Sequence, residues 1–248
     1  MAKQSGLGDS LLVDGYNLSG DIGAVQTISS RSGVLDITSI DKSAMERILS
    51  HLDGELGFNS FFNDAAAQEH VVLKAKSSGA NRVMTWLRGA TIGKGGYGIV
   101  AKQVNYDPSR GADGSLTIEV QGLGAAYGGE FADQLTAGLR ADTAASNGAG
   151  LNNGAATSKG VSAYLQVTAF TGTDVTMKIQ SSSDDGGGDA FATITSGSFT
   201  QVTSAPAAER IVTSLTQAVE QYLRVITETT GGFTSVTFSV LVCRWPVS

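Results

Sequence analysis

The sequence is poor in the residue types that most often support metal binding and disulfide formation. Its 248 residues include one cysteine, Cys243, and two histidines, His51 and His70. A single cysteine excludes an intramolecular disulfide and a cysteine-rich zinc site, and two histidines disfavour a histidine-rich metal site. We therefore expect no metal ion in this protein.

Charged residues and prolines are also scarce. Charged residues make up 16% of the chain, proline occurs 3 times, and the net charge of −6 gives an isoelectric point near 4.9. An acidic chain without a clustered basic face lacks the means to grip nucleic acid. Glycine, Ser, Thr, Asn and Gln supply most of the polar surface, which suits packing against other protein.

No hydrophobic run approaches the roughly 18 apolar residues of a membrane span. The first residues, "MAKQSGLGDSLL", also lack the apolar core of a signal peptide. These observations predict a protein that does not insert into membranes and that folds in the cytoplasm.

Glycine is abundant, and one glycine-rich stretch is similar to a phosphate-binding loop. In "TIGKGGYGIVAK", residues 91–102, Gly93, Gly95 and Gly98 have the spacing of the loop that covers ATP in protein kinases. However, Lys102 follows Val100 too closely to return beneath the phosphates. His-Arg-Asp, Asp-Phe-Gly and G-x-x-x-x-G-K-[ST] motifs are absent. The stretch is interpreted as a flexible connection between two strands.

Other candidate sites also lack essential parts. "SSSDDGGGDAF" supplies Asp184, Asp185 and Asp189, but it lacks the spacing and the distal Glu of a calcium loop, which favours a solvated hairpin tip. No G-x-S-x-G nucleophile elbow occurs. We therefore predict no catalytic, cofactor-binding or metal-binding residues, and no enzymatic activity.

The first part of the chain is predicted to contain an extended arm, several strands and one helix. "GLGDSLLVDGYNLSGDIGAVQTI" predicts an arm that leads into a first strand, and such arms commonly order on a neighbour. "SIDKSAMERILSHLDG" predicts the one clear helix, with Asp41 as its N-cap and Gly54 as its end. Its apolar stripe comprises Ala44, Met45, Ile48, Leu49 and Leu52. "ELGFNSFFN", "RVMTWLRGATI" and the two runs around "DPSRGADGS" predict further strands.

A polar stretch without periodicity, residues 142–159, predicts a boundary between two domains, 1–155 and 156–248. Beyond it, seven short β-type runs follow at the spacing of a C-terminal β-sandwich, either a jelly roll or an immunoglobulin-like fold. Helical spacing within "AAERIVTSLTQAVEQYL" leaves a helix there as an alternative. The predicted class is mainly β.

Three blocks span most of residues 6–140: "GLGDSLLVDGYNLSGDIGAV", "VLDITSIDKSAMERILSHLDGELGFNSFFND" and "KQVNYDPSRGADGSLTIEVQG". Together these blocks resemble the tail-tube, or major tail, proteins of bacteriophages with long non-contractile tails, particularly those that infect actinobacteria. The last part, from "AYLQVTAFTGTDVTMKIQ" onward, looks like the β-sandwich modules that phage structural proteins carry outside the tube.

The resemblance implies a β-sandwich or open barrel with one flanking α-helix, self-assembly into stacked hexameric rings, and a location in the virion tail after assembly in the host cytoplasm. It implies transient contacts with a tape-measure protein and DNA in the lumen, and contacts with tail terminator and distal tail proteins. The arm and the loop that holds "GKGGYG" would order on stacking. A net negative subunit would give an acidic lumen past which DNA slides.

Two alternatives are compatible with the sequence. The second domain suggests carbohydrate recognition on the host surface through Tyr164, Tyr222 and Trp245. The same phage context also fits a capsid or head-completion protein.

Overall fold

The computed structural model describes residues 5–75 and 79–245, and its sheets are antiparallel. The strands of the first part are β1 (Ser10–Val13), β2 (Tyr16–Asn17), β3 (Ile22–Asp36), β4 (Arg47–Phe61), β5 (Arg82–Leu87), β6 (Gly95–Gln103), β7 (Asp107–Arg110), β8 (Leu116–Gly124), β9 (Glu130–Gln134) and β10 (Arg140–Asp142). One short helix, α1 (Glu69–Leu73), lies between β4 and β5. The remaining strands are β11 (Leu151–Asn152), β12 (Ser162–Gly172), β13 (Thr176–Ser182), β14 (Ala192–Ser198), β15 (Ala207–Val212), β16 (Tyr222–Glu228) and β17 (Phe233–Cys243).

The strands form two sheets. A 13-stranded sheet runs in the order β15-β12-β17-β9-β6-β5-β1-β2, and β3, β4, β7, β8 and β10 join it beside this path. A 4-stranded sheet has the order β11-β16-β13-β14. The mainly β class predicted from the sequence is therefore confirmed, although the one short helix lies at a different place in the chain from the predicted one.

Three hydrophobic clusters hold these sheets together. One lies among β1, β4, β5, β6 and β8 and contains Phe58 and Tyr97. A second lies between β12, β17 and the 4-stranded sheet and contains Phe238. A third and smaller cluster, with Tyr164 and Leu241, joins residues from both parts of the chain.

The predicted helix over residues 41–53 is wrong. Most of that segment is the first half of β4, which pairs with β3 so that Val34 faces Leu49 and Leu35 faces Ile48. The apolar residues that fit one face of a helix do not pack against the core: Met45, Ile48, Leu49 and Leu52 are all about half exposed or more. The apolar run that precedes the turn instead supplies a strand partner, and these cross-strand pairs outweigh helix propensity.

The prediction that residues 6–28 form an arm is wrong for its first half. Leu11, Leu12 and Val13 of β1 are almost completely buried, and β1 pairs with β5 from Ser10 to Val13. Leu18 is fully buried as well. Since these side chains belong to the core of a single subunit, this segment does not need a neighbour to become ordered.

The glycine-rich connection is shorter than predicted. Residues 88–94 connect β5 to β6, whereas Gly95, Gly96 and Gly98 lie within β6 near the middle of the large sheet. A Cβ atom at Gly98 would lie 2.5 Å from the ring of Tyr164, and one at Gly96 would lie 2.7 Å from the Trp86 carbonyl oxygen. These two glycines are therefore needed for close packing.

In the last third, six of the seven predicted β-runs are strands. The exception is "FTQVT", where Val202 makes only an isolated bridge to Val175. The alternative helix over residues 207–223 is not formed, because Ala207–Val212 is β15. Asp113-Gly114 forms a turn as expected, with a φ of 90° at Gly114, but Asp107-Pro108 begins the short strand β7.

The predicted boundary at residue 155 stays a prediction. The strands of the second part are not isolated from the first part, since β17 pairs with β9 and β10. Within residues 5–75 and 79–245, no helix is long and apolar enough to cross a membrane.

Candidate assembly surface

The most prominent feature of the surface is the long hairpin of β3 and β4, which we call the β3–β4 hairpin. The two strands pair from Ile22–Ser60 to Asp36–Arg47, whereas β8 accompanies β4 only from Phe61 to Glu55. The distal half of the hairpin therefore continues as a two-stranded ribbon. Residues 47–53 of β4, at about 3.4 Å each, give this ribbon a length of roughly 24 Å.

The ribbon and its tip expose many large apolar side chains. Ile40 at the tip is fully exposed, and Leu49 is 73% exposed. Others that are half exposed or nearly so are Val34, Leu35, Ile37, Met45, Ile48 and Leu52. Val34–Leu49 and Leu35–Ile48 are successive pairs in the register, so the exposed apolar side chains lie on both faces of the ribbon. Exposed apolar surface of this extent is characteristic of a surface that a partner covers.

The base of the β3–β4 hairpin is fixed to the large sheet. The hydroxyl of Tyr97 donates a hydrogen bond to the carbonyl oxygen of Ser29. Arg31 pairs with Glu55 at 3.3 Å and with Asp53 at 3.6 Å across the two strands. The β3–β4 hairpin is thus fixed at its base, and the ribbon, which is its distal half, extends away from the core.

The tip is closed by local hydrogen bonds. The Thr38 amide donates to the Asp36 carboxylate at 2.9 Å, and the Glu46 amide donates to the Thr38 hydroxyl at 2.8 Å. Hydrogen bonds from Thr38 lower the pKa of Asp36. These contacts define a turn structure that presents Ile37, Ile40 and Met45 at the end of the ribbon.

Two strands of this region have one edge without a partner strand in the described part of the chain. β3 pairs only with β4 along its 15 residues, and β7 pairs only with β8. Open edges present rows of backbone donors and acceptors that another strand can pair with. Pro108 in β7 restricts such pairing at that edge.

The residues considered for chemistry from the sequence do not come together. His51 is exposed on β4, and His70 in α1 places its Nδ1 atom 2.6 Å from the Tyr106 hydroxyl. Cys243 is buried at the end of β17, and burial raises the pKa of its thiol to about 11. Among residues 5–75 and 79–245, no cluster of three His, Cys, Asp or Glu residues has metal-binding geometry.

The acidic stretch at residues 181–191 is a hairpin tip between β13 and β14, as predicted. The Asp184 carboxylate accepts hydrogen bonds from the amides of Gly187, Gly188 and Asp189. These hydrogen bonds lower the pKa of Asp184. The carboxylate thus stabilises its own turn.

The three aromatic residues named for carbohydrate binding have different surroundings. Tyr164 is fully buried, so it cannot serve as a stacking platform. Tyr222 is half-buried and accepts a hydrogen bond from Asn152. Trp245 is 68% exposed.

Sequence reasoning missed a buried charged network between β9, β12 and β15. Arg210 donates to Glu130 through Nη2 at 3.0 Å and through Nε at 3.1 Å. Glu130 also accepts hydrogen bonds from the hydroxyls of Ser162 and Tyr164. The side chains of Arg210 and Glu130 are 3% and 0% exposed, which leaves no access for a substrate. No local pattern signals this network, since its members are far apart in the chain.

Comparisons with known proteins give partial structural similarities. No protein-family model matches the chain, and no curated protein matches it significantly. A chain of the virion of a native gene transfer agent particle is 15% identical, with a TM-score of 0.41 over 53% of this chain and 98% of that chain. A chain from the tail of an empty gene transfer agent particle is 14% identical, with a TM-score of 0.34 over 42% of this chain and 78% of that chain.

The SPP1 Dit protein is also similar. It is described as a paradigm of the hub adsorption apparatus in phages that infect Gram-positive bacteria. It is 12% identical, with a TM-score of 0.33 over 95% of this chain and 99% of that chain. The three neighbours come from phage or phage-like particles, but TM-scores this low do not establish a shared fold.

Proposed function

We propose that this chain is a structural subunit of a phage tail tube, which self-assembles into stacked hexameric rings and catalyses no reaction. The observation that carries the proposal is the β3–β4 hairpin, whose distal half exposes apolar side chains and lies within the longest sequence block that resembles tail-tube proteins. An isolated two-stranded ribbon is marginally stable in water, which makes a partner for this ribbon physically reasonable.

Association would bury the apolar side chains of the ribbon. Most of them are about half exposed, so covering each contributes about 1 kcal/mol, and the more exposed Ile40 and Leu49 contribute more. Summed over the ribbon, this gain is comparable to the cost of immobilising one subunit on another. Repeated contacts with several neighbours would then stabilise a ring or a stack.

The open edge of β3 supports self-association of a head-to-tail kind. In such an interface, one surface of a subunit contacts a different surface of the next, and a rotation that closes gives a ring. Strand addition at an edge provides main-chain hydrogen bonds without new side-chain chemistry. The 15 residues of β3 give one such edge considerable length.

The negative net charge of the chain is compatible with DNA and a tape-measure protein as transient partners in the lumen. A net charge of −6 per subunit would repel DNA phosphates from the lumen of a tube. DNA and a tape-measure protein would therefore pass without tight binding, and the tail terminator and distal tail proteins would contact the ends of the tube. The proposed location is the virion tail.

Electron microscopy and light scattering of the purified chain over a range of concentrations test the proposal. We expect rings and tubes to form as the concentration rises. Ile40→Asp and Leu49→Asp place a charge on the ribbon and should shift assembly to higher concentration by tenfold or more, as expected for the loss of about 1.4 kcal/mol.

Leu215→Asp is the matched control, because Leu215 is a 43% exposed leucine outside the β3–β4 hairpin. It should assemble like the unmodified chain. A monomer at every concentration, or equal effects of Leu215→Asp and Leu49→Asp, would contradict the proposal.

A capsid or head-completion role is distinguished from the role of a tube subunit by the copy number of the protein in the virion. A tube subunit is present in many copies per virion along the tail, whereas a head-completion protein occurs in one ring. Quantitative mass spectrometry of the virion separates the two. A low copy number at the head would favour the alternative.

A further inference from the structure

A groove lies beside β9 in the large sheet, where β5 ends and β6 begins. Register places Trp86 opposite Tyr97 and Tyr97 opposite Phe131, so that these three aromatic residues form a row across β5, β6 and β9. Tyr97 and Phe131 are in edge-to-face contact, with ring centroids 5.3 Å apart. The end of this row at Phe131 is 61% exposed.

The next row creates the depression itself. Gly95 faces Asp133 in the register, and the Arg88 amide donates to the Gly95 carbonyl oxygen at 3.1 Å. Because Gly95 has no side chain, a space of about 490 Å³ remains between Arg88, Trp86 and Phe131. A second space of about 410 Å³ lies on the other side of Phe131 and Asp133 and extends to Trp245.

The two spaces adjoin at Phe131 and Asp133, which line both, and we call them together the groove. Its lining also includes Trp86, Arg88, Arg244 and Trp245. Phe131 and Trp245, which is 68% exposed, leave much of their surfaces uncovered. Exposed flat rings beside polar groups are typical of ligand sites, where apolar faces bind and polar groups orient the ligand.

The polar groups of the groove include both signs of charge. Desolvation raises the pKa of Asp133, and the nearby Arg244 guanidinium partly offsets this effect. Arg244 donates through Nη1 to the Asn153 carbonyl oxygen at 3.3 Å and through Nη2 to the Ala155 carbonyl oxygen at 2.5 Å. Its Nε atom is buried and has no hydrogen-bond partner among the described residues. Such a donor calls for an acceptor.

We propose that this groove binds a pyranose unit of a neutral polysaccharide. Aromatic faces at Phe131 and Trp245 contact the apolar C–H face of a sugar ring, and Asp133, Arg88 and Arg244 bind its hydroxyl groups. The net charge of −6 disfavours the approach of an anionic polysaccharide, whereas in the groove itself Arg88 and Arg244 outnumber Asp133. This site shares Trp245 with the aromatic set proposed from the sequence but does not include Tyr164 or Tyr222, and it does not depend on tube formation.

The two tryptophans of the chain, Trp86 and Trp245, both line the groove. Intrinsic fluorescence of the full chain therefore reports directly on its occupation. Titration with maltohexaose, chitohexaose, laminarihexaose, mannan and arabinogalactan should give a saturable change in emission for at least one probe, with a Kd on the order of 1 mM or tighter. The corresponding monosaccharides show whether one ring suffices or a longer chain is required.

Phe131→Ala removes the exposed ring, and Asp133→Asn removes the carboxylate with little change of shape. Each should weaken the binding of the responsive probe by about tenfold or more. Phe61→Ala, at a 55% exposed phenylalanine outside the groove, should leave binding unchanged. Near-ultraviolet circular dichroism of each variant confirms that it is folded.

Three results would overturn the proposal. One is the absence of any saturable response to every probe. Another is a response that Phe131→Ala and Asp133→Asn leave intact. The third is tryptophan emission that changes with protein concentration but not with sugar, which would assign the groove to an interface between copies of the chain. The first two results do not bear on ring formation through the β3–β4 hairpin.

Discussion

The packing around position 98 leaves no room for a side chain larger than that of glycine. A Cβ atom there would lie 2.5 Å from Tyr164, whose hydroxyl is bound to Glu130 and Arg210 and whose ring therefore has little freedom to move. The glycine pattern of residues 91–102 thus comes from packing and not from phosphate binding.

Gly98→Ala should destabilise the protein by about 1–3 kcal/mol, because the added methyl group overpacks the sheet. Gly95→Ala is the matched control in the same strand, since its Cβ atom would meet no heavy atom within 4 Å. Its effect should stay within about 0.5 kcal/mol. Urea denaturation of both variants provides the measurement, and equal costs would contradict this packing argument.

Glu69 in α1 is a buried carboxyl group near Asp21. Its two carboxyl oxygens have no close hydrogen-bond partner in the described structure. Burial raises its pKa from 4.5 to about 7, Ser60 partly offsets this shift, and the charge of Asp21 adds to it. The folded state thus binds this proton more tightly than the unfolded state does.

The sign of the pH dependence follows from this raised pKa. Stability from Glu69 is fully present below pH 4.5, decreases as the pH rises, and is lost above about pH 7. Glu69→Gln should remove this decrease and make the variant less sensitive to pH by about 1–2 kcal/mol between pH 5 and pH 8.

Urea denaturation at the two pH values measures the effect on Glu69→Gln. Glu46→Gln, at an exposed carboxylate of the hairpin tip, serves as the control and should retain the slope of the unmodified chain. An unchanged slope in Glu69→Gln would show that Glu69 is ionised in the folded protein.

At the scale of elements, the β3–β4 hairpin shows why helical spacing was misleading. Met45, Ile48, Leu49 and Leu52 fit one face of a helix, but Ile48, Leu49 and Leu52 also fit a strand whose partner precedes it by the connection over residues 37–46. Spacing alone does not distinguish these arrangements when the apolar face has nothing to cover it. Strands such as β5 were predictable because their partners and their burial agree with local propensity.

Glu130 in β9 and Arg210 in β15 form an ion pair, and both contact Tyr164 in β12, so the pair links three strands. Glu130→Gln leaves Arg210 buried without its counter-charge and should cost about 3–5 kcal/mol. Arg210→Met should also be destabilising, but the double variant should cost clearly less than the sum of the two. Additive costs in urea denaturation would indicate that the pair is not coupled.

At the scale of the whole molecule, two large hydrophobic cores are joined by a third cluster. The proposed domains 1–155 and 156–248 each contribute to this junction through residues such as Leu87 and Leu241, and β9 pairs with β17 across it. Separate cores that share buried contacts and a strand pairing unfold together when the shared energy is large.

We therefore expect one cooperative transition in calorimetry of the unassembled chain, recorded at a concentration below that of ring formation. The calorimetric and van't Hoff enthalpies should agree. Arg210→Met weakens the junction and should broaden or split the transition, whereas Arg31→Met, at the exposed pair of the β3–β4 hairpin, should not. Two resolved transitions in the unmodified chain would contradict strong coupling.

The sequence by itself determined the mainly β class, most strands of the last third and the acidic, weakly charged surface, because these depend on local propensity and composition. Only the tertiary structure decided that residues 47–53 are part of a strand, that Leu11 to Val13 belong to the core, and that Gly98 lies against Tyr164. It also brought together Glu130 and Arg210, and the groove residues Phe131 and Trp245. Such features depend on contacts between residues far apart in the chain, which local spacing does not encode.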